Sequence, residues 1–491
     1  MKTYIAVDIG ASSGRLVKSE CVDGTIRMEE IHRFKNEFTF SDGHDRWNVD
    51  YLVREILNGL CVLKQRGINE CTMGIDTWGV DYCLLDKDDT LLDQPISYRD
   101  ERTDNAIAQF SKRMSLKHLY EITGIQIQPF NTVFQLSVEG RDRLDKASTL
   151  LLIPDYLGFV FTGVKVTERT NASTMQLLNS KTQDWDDKLL EELGISKDLF
   201  APLVEPGSIL GTLNQEAFKD VDLPEVTLIN VASHDTASAV LGTPGCEGDW
   251  AYISSGTWSL LGIETQEANL TYDAYHANYT NEWGACNTIR FLKNIMGMWL
   301  IQEVARMQDY EYSYPQLASM ASQSPAFQQF IDVNDERFLN PHNMIEALQN
   351  YCEETNQVIP KSPHEIVRCV YDSLALCYAY ELTKLEKLSK THGNIKKLHI
   401  VGGGANNEFL NQLTADVANV IVEAGPSEAT AIGNIVIQMI TMGEFNDIKE
   451  ARERIKQSFE TRVYKPSKFN SKIFDDYTRI IHRENRKRET I

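Results

Sequence analysis

Several aspartates in this chain stand at the ends of apolar runs, each followed by glycine or small polar residues. Asp8 closes the run that begins at Tyr4 and precedes Gly10-Ala11-Ser12-Ser13-Gly14. A carboxylate beside such a turn lies next to backbone N–H groups that can hold phosphate oxygens, so Asp8 is a candidate ligand for nucleotide-bound magnesium. An ordinary turn in which Asp8 caps a neighbour has the same pattern. Ser233-His234-Asp235-Thr236 follows the run Leu228 to Ala232 and opens a stretch of small residues. That layout puts these side chains at the carboxyl end of a sheet, the edge at which open α/β sheets bind ligands. Asp235 is the candidate general base there, and capping a helix is a compatible role.

Three further segments carry candidates. Gly402-Gly403-Gly404 follows an apolar strand and opens a helix, so its backbone could approach a nucleotide closely beside a helix N-terminus. A sharp strand-to-helix turn would need only one or two of these glycines. In Gly74-Ile75-Asp76-Thr77-Trp78-Gly79-Val80-Asp81, Gly79 would let a ligand reach the backbone and a sugar ring could stack on Trp78. The alternative has Trp78 in the core and the aspartates in a solvated turn. Between residues 293 and 307 the apolar pattern reads as a helix, on which Asn294 and Gln302 would lie about 12 Å apart.

The elements that must position these residues alternate. A β-hairpin covers the first twenty residues, and its pattern returns around position 250, with Ser254-Ser255-Gly256-Thr257 as the second turn, which suggests an internal duplication. Between them lie helices near 49–66, 104–121 and 133–145, with strands near 71–85 and 226–231. A long helix near 363–389, the strand 398–401 and a helix near 406–418 follow. Alternating strands and helices imply an α/β layer. A chain of 491 residues exceeds what one core supports, and Leu241-Gly242-Thr243-Pro244-Gly245 interrupts a helix, so two α/β lobes, 1–244 and 245–491, are expected. An amphipathic helix near 472–486 would pack on one of them.

Asp and Glu outnumber Lys and Arg by 70 to 49, a net charge of -21, which opposes binding to nucleic acid or anionic membrane. No apolar stretch reaches the roughly 18–20 residues of a spanning helix, and the first ten residues carry an acidic residue where a signal peptide keeps its apolar core. The expected location is the cytoplasm. The nine cysteines, including Cys246, show no C-x-x-C pair and are expected reduced, although Cys352 and Cys369 could approach across a turn. Monomer and homodimer both remain open.

In order and spacing, the segments 7–15, 74–82, 97–103, 233–238, 254–259, 292–297 and 401–407 resemble the FGGY carbohydrate kinases over nearly the whole chain. The resemblance implies two ribonuclease-H-like lobes of the actin-like ATPase fold, with an interdomain active-site cleft. Carried over by position, it implies that Ala11, Ser12, Ser13, Gly14, Arg15, Thr257, Gln302 and Gly403 hold ATP and that Asp8 positions Mg2+. Gly79, His234, Asp235, Thr236 and Asn294 would hold the sugar, with the N-terminal lobe binding sugar and the C-terminal lobe nucleotide. Asp235 would deprotonate the 1-hydroxyl of a ketose, with L-rhamnulose implied ahead of fuculose, xylulose and glycerol. Ala11 stands where glycerol and xylulose kinases commonly have threonine, which directs the substrate away from theirs.

Two other readings use some of the same residues. Asp8, Asp76 and Asp235 at strand ends could imitate a two-metal nuclease, against which the net charge and the second glycine-rich turn count. An ATP-gated binding or filament module would need no sugar base, and His234-Asp235-Thr236 with Asn294 supplies one.

Overall fold

The computed structural model describes residues 2–245, 250–389 and 395–488. They form two compact units: Met1–Cys246 with Glu264–Phe291 and Ala429–Phe459, and Glu247–Ile263 with Leu292–Glu428 and Glu460–Ile491. The chain passes into the second unit and then returns twice to the first. Apolar burial explains the second return. Ala431, Ile432, Ile435, Val436 and Met439 pack with Tyr4, Ala6 and Val17, an association that local sequence at the Gly242–Gly245 break does not reveal.

In the first unit, β1 (Tyr4–Ile9), β2 (Ser13–Val22), β3 (Thr25–Lys35), β4 (Glu70–Thr77), β5 (Ile209–Thr212) and β6 (Glu225–Ile229) form one sheet in the order β5-β6-β4-β1-β2-β3. β1 runs antiparallel to β2 and parallel to β4, which is parallel to β6. Every β1 residue is buried, so both faces are covered. Ile5, Val7 and Ile9 face a cluster with Leu52, Ile56 and Leu60 of helix α1 (Val49–Gln65), while Tyr4 and Ala6 face the returning helix. This period of two is what a buried central strand requires. Asn48 starts α1 by accepting from the Tyr51 N–H at 2.9 Å.

Two further helices of this unit are α2 (Asp235–Leu241) and α3 (Ala429–Thr441). They meet almost backbone to backbone. A Cβ on Gly433 would fall 1.8 Å from the Ser238 carbonyl oxygen, and one on Gly242 would fall 2.0 Å from that of Ala429. Small residues at this crossing fix where the first turn of α2, with Asp235, emerges.

A second, seven-stranded sheet contains β7 (Trp250–Ser255), β8 (Trp258–Thr265), β9 (Ile289–Met296), β10 (Lys397–Val401), β11 (Ile421–Ala424) and β12 (Arg462–Tyr464), ordered β9-β8-β7-β10-β11-β12, with the strand Thr280–Trp283 at the edge beyond β9. β7 is antiparallel to β8 and parallel to β10, which is parallel to β11. Each unit therefore sets a hairpin beside parallel strands, the ribonuclease-H-like plan, as the expected duplication requires. The helix Pro363–Leu388 is buried along most of its length and starts with a capping box of Ser362 and Glu365. In the C-terminal helix Ser471–Arg488, Tyr477 is buried against the rings of Phe330 and Tyr380.

Local expectations fail where apolar pattern did not separate strand from helix. Residues 293–296 finish β9, and the helix begins only at Trp299. Gly297 stands at the break, where a Cβ would come within 2.4 Å of Ser259 Oγ. The regions 104–121 and 133–145 are also broken, into Ala106–Phe110 and Leu116–Thr123, and into Thr132–Ser137 and Arg141–Leu144. Ser115 caps the second of these, and Gly140 precedes the last. Among the described residues no helix is long and apolar enough to cross a membrane, and eight cysteines are free thiols, Cys352 and Cys369 included. Cys246 lies outside the described residues.

Candidate active site

The parallel register of β1 and β4 places Asp8 opposite Asp76, and the hairpin register places Arg15 opposite Asp8. Arg15 donates from Nε and Nη2 to Asp8 Oδ2 at 3.1 and 2.8 Å. Asp76 is fully buried, and its Oδ2 accepts from Asn434 Nδ2 of α3 at 2.6 Å. Behind it a chain of hydrogen bonds crosses from sheet to helix. Thr72 Oγ1 donates to Gln438 Oε1 at 2.6 Å, and Gln438 Nε2 donates to Asn434 Oδ1 at 2.7 Å. Gly74 makes room, since a Cβ there would lie 2.5 Å from Asn434 Oδ1. Burial, reinforced by the charge on Asp8, pushes the Asp76 carboxyl well above the usual carboxylate range.

Asp235 is the first residue of α2, with His234 at the cap position, so its carboxylate is not the cap that local reading allowed. Its Oδ1 accepts from the Thr236 N–H at 2.6 Å and Thr236 Oγ1 at 3.2 Å, and His234 Nε2 stands 3.3 Å away. A third of the Asp235 side chain is open to solvent. Even so, the protein around it removes enough water to raise its carboxyl above the ordinary value, against the opposing effect of His234. Such a shift suits a group that must hold and release a proton.

The residues before Asp235 are fixed by two partners. Thr77 at the end of β4 donates its N–H to the Ser233 carbonyl at 2.9 Å. The buried carboxylate of Glu168 accepts from Ser233 N at 2.9 Å and Ser233 Oγ at 2.7 Å, and also binds Thr170 and Asn171. Asn171 Nδ2 donates to the carbonyls of Ser233 and Trp78, at 3.3 and 3.5 Å, which joins the Gly79 turn to the His234-Asp235-Thr236 loop. Gly79 is packed so closely that a Cβ would lie 2.8 Å from Thr174 Oγ1.

Trp78 does not offer a stacking face. It is buried with its ring centroid 4.4 Å from that of Trp47, and its Nε1 donates to Asp81 Oδ2 at 2.9 Å. Asp76 and Asp81 are not solvated turn residues either. Asp81 is buried, and desolvation pushes its carboxyl up to about 6 despite four donors around it.

At the hairpin tip, Asn36 ties back two carbonyls, donating Nδ2 to Gly10 O at 2.8 Å and its N–H to Ser12 O at 3.1 Å. Gly14 is required because a Cβ would fall 2.2 Å from the Phe34 ring. With Asp8 close by, this end of the unit suits a phosphate and its cation. The donor set fits magnesium, a hard cation usually bound by one or two carboxylates plus phosphate oxygens. Asp76 Oδ1, buried without a hydrogen-bond partner, adds a second oxygen. Among the described residues no group of three or more His, Cys, Asp or Glu could enclose an ion, and none is needed for that mode.

In the second unit the turn Ser254–Thr257 lies beside Gly402-Gly403-Gly404. A Cβ on Gly402, whose φ is +81°, would fall 2.8 Å from Ser255 O, and one on Gly404 would fall 1.9 Å from Ser255 Oγ. Gly403 faces open space, with nothing within 4 Å. Two of the three glycines thus serve packing and the third leaves the backbone accessible. Trp299 N donates to Thr257 O at 3.0 Å and Met298 N to Gly256 O at 3.2 Å, so the helix Trp299–Met307 that carries Gln302 starts from this turn. Asn294 belongs to this unit on β9, so a shared helix with Gln302 is ruled out.

Glu168, Glu282, Arg290 and Asn434 were not found from sequence. Each is a single polar residue without a local motif, and only the tertiary fold brings it to the site.

The FGGY family of carbohydrate kinases matches the chain twice, its N-terminal domain over residues 3–242 and its C-terminal domain over 251–442. The chain belongs to this family of sugar kinases. It is 62% identical over 485 residues to the rhamnulokinase of Enterococcus faecalis, covering 99% of this chain and 98% of that protein. To the rhamnulokinase of Bacillus subtilis it is 51% identical over 463 residues, 94% and 95% of the two chains. Xylulose kinase from Lactobacillus acidophilus shares the fold with a TM-score of 0.79 at 17% identity, over 100% of this chain and 98% of that one. Plasmodium falciparum glycerol kinase with ADP gives 0.79 at 14% identity, over 99% and 98%. The two-lobed actin-like fold expected from sequence is therefore present.

Proposed function

We propose that the protein transfers the γ-phosphoryl group of ATP to the 1-hydroxyl of L-rhamnulose, giving L-rhamnulose 1-phosphate and ADP in the use of L-rhamnose. The full-length similarity to rhamnulokinases supports the substrate. The observation that carries the chemistry is Asp235, a carboxylate with raised proton affinity held at a sheet edge by His234, Thr236 and the Glu168-bound Ser233.

In the first unit, Gly79, His234 and Thr236 hold the ketose, with Asn294 of the second unit as a further sugar contact. Asp235 accepts the proton as the O1–H bond breaks. The new O1–Pγ bond forms as the bond from Pγ to the bridging oxygen of ADP breaks. Ala11, Ser12, Ser13, Gly14 and Arg15 hold the phosphates, and Thr257, Gln302 and Gly403 of the second unit hold the rest of the nucleotide. Mg2+ held by Asp8 would neutralise phosphate charge, the main requirement of phosphoryl transfer. The proposed setting is the cytoplasm.

A coupled assay of ADP release across ketoses and polyols tests this reading. L-rhamnulose is expected to give the highest kcat/KM. Faster turnover with fuculose, xylulose or glycerol would overturn the substrate assignment.

A further inference from the structure

Glu282 and Arg290 are charged, buried and assigned no role above. Arg290 has no exposed surface, Glu282 is 5% exposed and His234 is 9% exposed. Arg290 Nη2 lies 3.1 Å from Glu282 Oε2 and 3.1 Å from His234 Nδ1, and its Nε donates to the Trp283 carbonyl at 3.2 Å. A guanidinium can only donate, so His234 Nδ1 must present its lone pair to Arg290. In a neutral imidazole the proton then sits on Nε2, the nitrogen 3.3 Å from Asp235 Oδ1.

The competing arrangement has Nδ1–H donating to Glu282 Oε2, at 3.5 Å. It would turn the Nε2 lone pair onto a carboxylate oxygen and set an N–H of Arg290 against another N–H. The shorter Arg290 contact, and the partner each nitrogen faces, favour the Nε2–H form, which leaves Glu282 Oε2 paired with Arg290 by charge and not by a hydrogen bond.

The geometry points to Glu282 and Arg290 as a positioning pair that fixes the Nε2–H tautomer of His234, whose proton then holds Asp235 Oδ1 and leaves Oδ2 to take the substrate proton. Oδ1 already receives the Thr236 N–H and hydroxyl as well. Two donors on Oδ1, with His234 Nε2 3.3 Å from it, orient the carboxylate and reserve the other oxygen. Glu282 holds Arg290 in place and balances a charge that would be costly to bury alone. Neither residue touches the substrate; both act through His234. The inference rests on Asp235 being the base.

The test uses the full chain labelled with 15N-histidine, with His234 assigned by loss of its signals in His234→Asn. At pH 8 the wild type is expected to show a pyridine-type Nδ1 and a pyrrole-type Nε2. Arg290→Met should abolish that pattern and lower kcat about 100-fold, as misplacement of a reacting group does, with a smaller change in sugar KM. Arg290→Lys, which keeps a donor, should retain the tautomer and most of kcat. If Arg290→Met fails to fold, the double variant Glu282→Gln/Arg290→Met removes both buried charges and carries the same expectation. A wild-type proton on Nδ1, or a folded Arg290→Met or double variant with unchanged kcat, would overturn the inference. Asp235→Asn separates the two readings. If it retains turnover, the base assignment fails; if it is inactive while those variants match the wild type, the positioning pair alone fails.

Discussion

The two sheets repeat one order of strands yet place different chemistry at corresponding ends. β1 and β4 of the first unit carry Asp8 and Asp76 side by side, one residue before their ends. β7 of the second ends on Ser255, and Gly402 just after β10 packs against it so closely that no side chain fits on the glycine. The carboxylate end needs support from elsewhere, supplied by Arg15, Asn434 and Gln438, with Glu168 steadying the loop before Asp235. The glycine end needs only close backbone packing and has no titratable group in its turns. Substitutions should therefore act through charge in one unit and through sterics in the other.

The largest effect that contrast implies is in the first unit. Asp235→Asn keeps shape and removes the proposed base, so kcat should fall about 10²–10⁴-fold while ATP binding, followed by calorimetry, persists. Gly404→Ala should act differently, since its Cβ meets Ser255 Oγ at 1.9 Å. Overpacking of this kind costs about 1–3 kcal/mol, and KM for ATP should rise with no change in the pH profile. Recovery in the double variant Gly404→Ala/Ser255→Gly, read by thermal melts and ATP KM, would tie the loss to that contact.

Asn434→Ala removes the donor to buried Asp76 and should lower stability by about 1–3 kcal/mol in urea denaturation. Equal stability of wild type and variant would mean that the hydrogen-bond chain does not support the carboxylate end. The smallest effect is in pH. As the proposed base Asp235 would work deprotonated, and its carboxyl is raised by burial, so kcat/KM should fall on acidification with a midpoint above the ordinary value of about 3.9. A midpoint at or below that value would remove the electrostatic half of the contrast.

Local motifs made the candidate groups legible. Asp8, the 233–236 segment and the triple glycine each combine a strand end with turn residues inside ten positions, so chemistry and element can be read together. The supporting groups could not be read that way. Asn434 lies 358 positions from Asp76, and Glu168 and Arg290 are isolated charges whose burial follows from packing. Asn294 reads as helical in the sequence because Phe291 to Ile301 is largely apolar, and such runs fit either period. Gly297, packed against Ser259, stands between strand and helix there. Trp78 shows the reverse error, an aromatic ring next to candidate site residues that the core had already claimed.

The hydrogen bond from Asn434 to Asp76 also sets an order of events during synthesis. At roughly 5–20 residues per second, a ribosome delivers Asn434 on the order of 20–70 s after Asp76. Through that interval Tyr4, Ala6 and Val17 wait for Ile432, Ile435 and Val436 to cover them. The strands made first are thus completed last, and a chain that stops before α3 leaves the ribosome with its earliest sheet bare on one face.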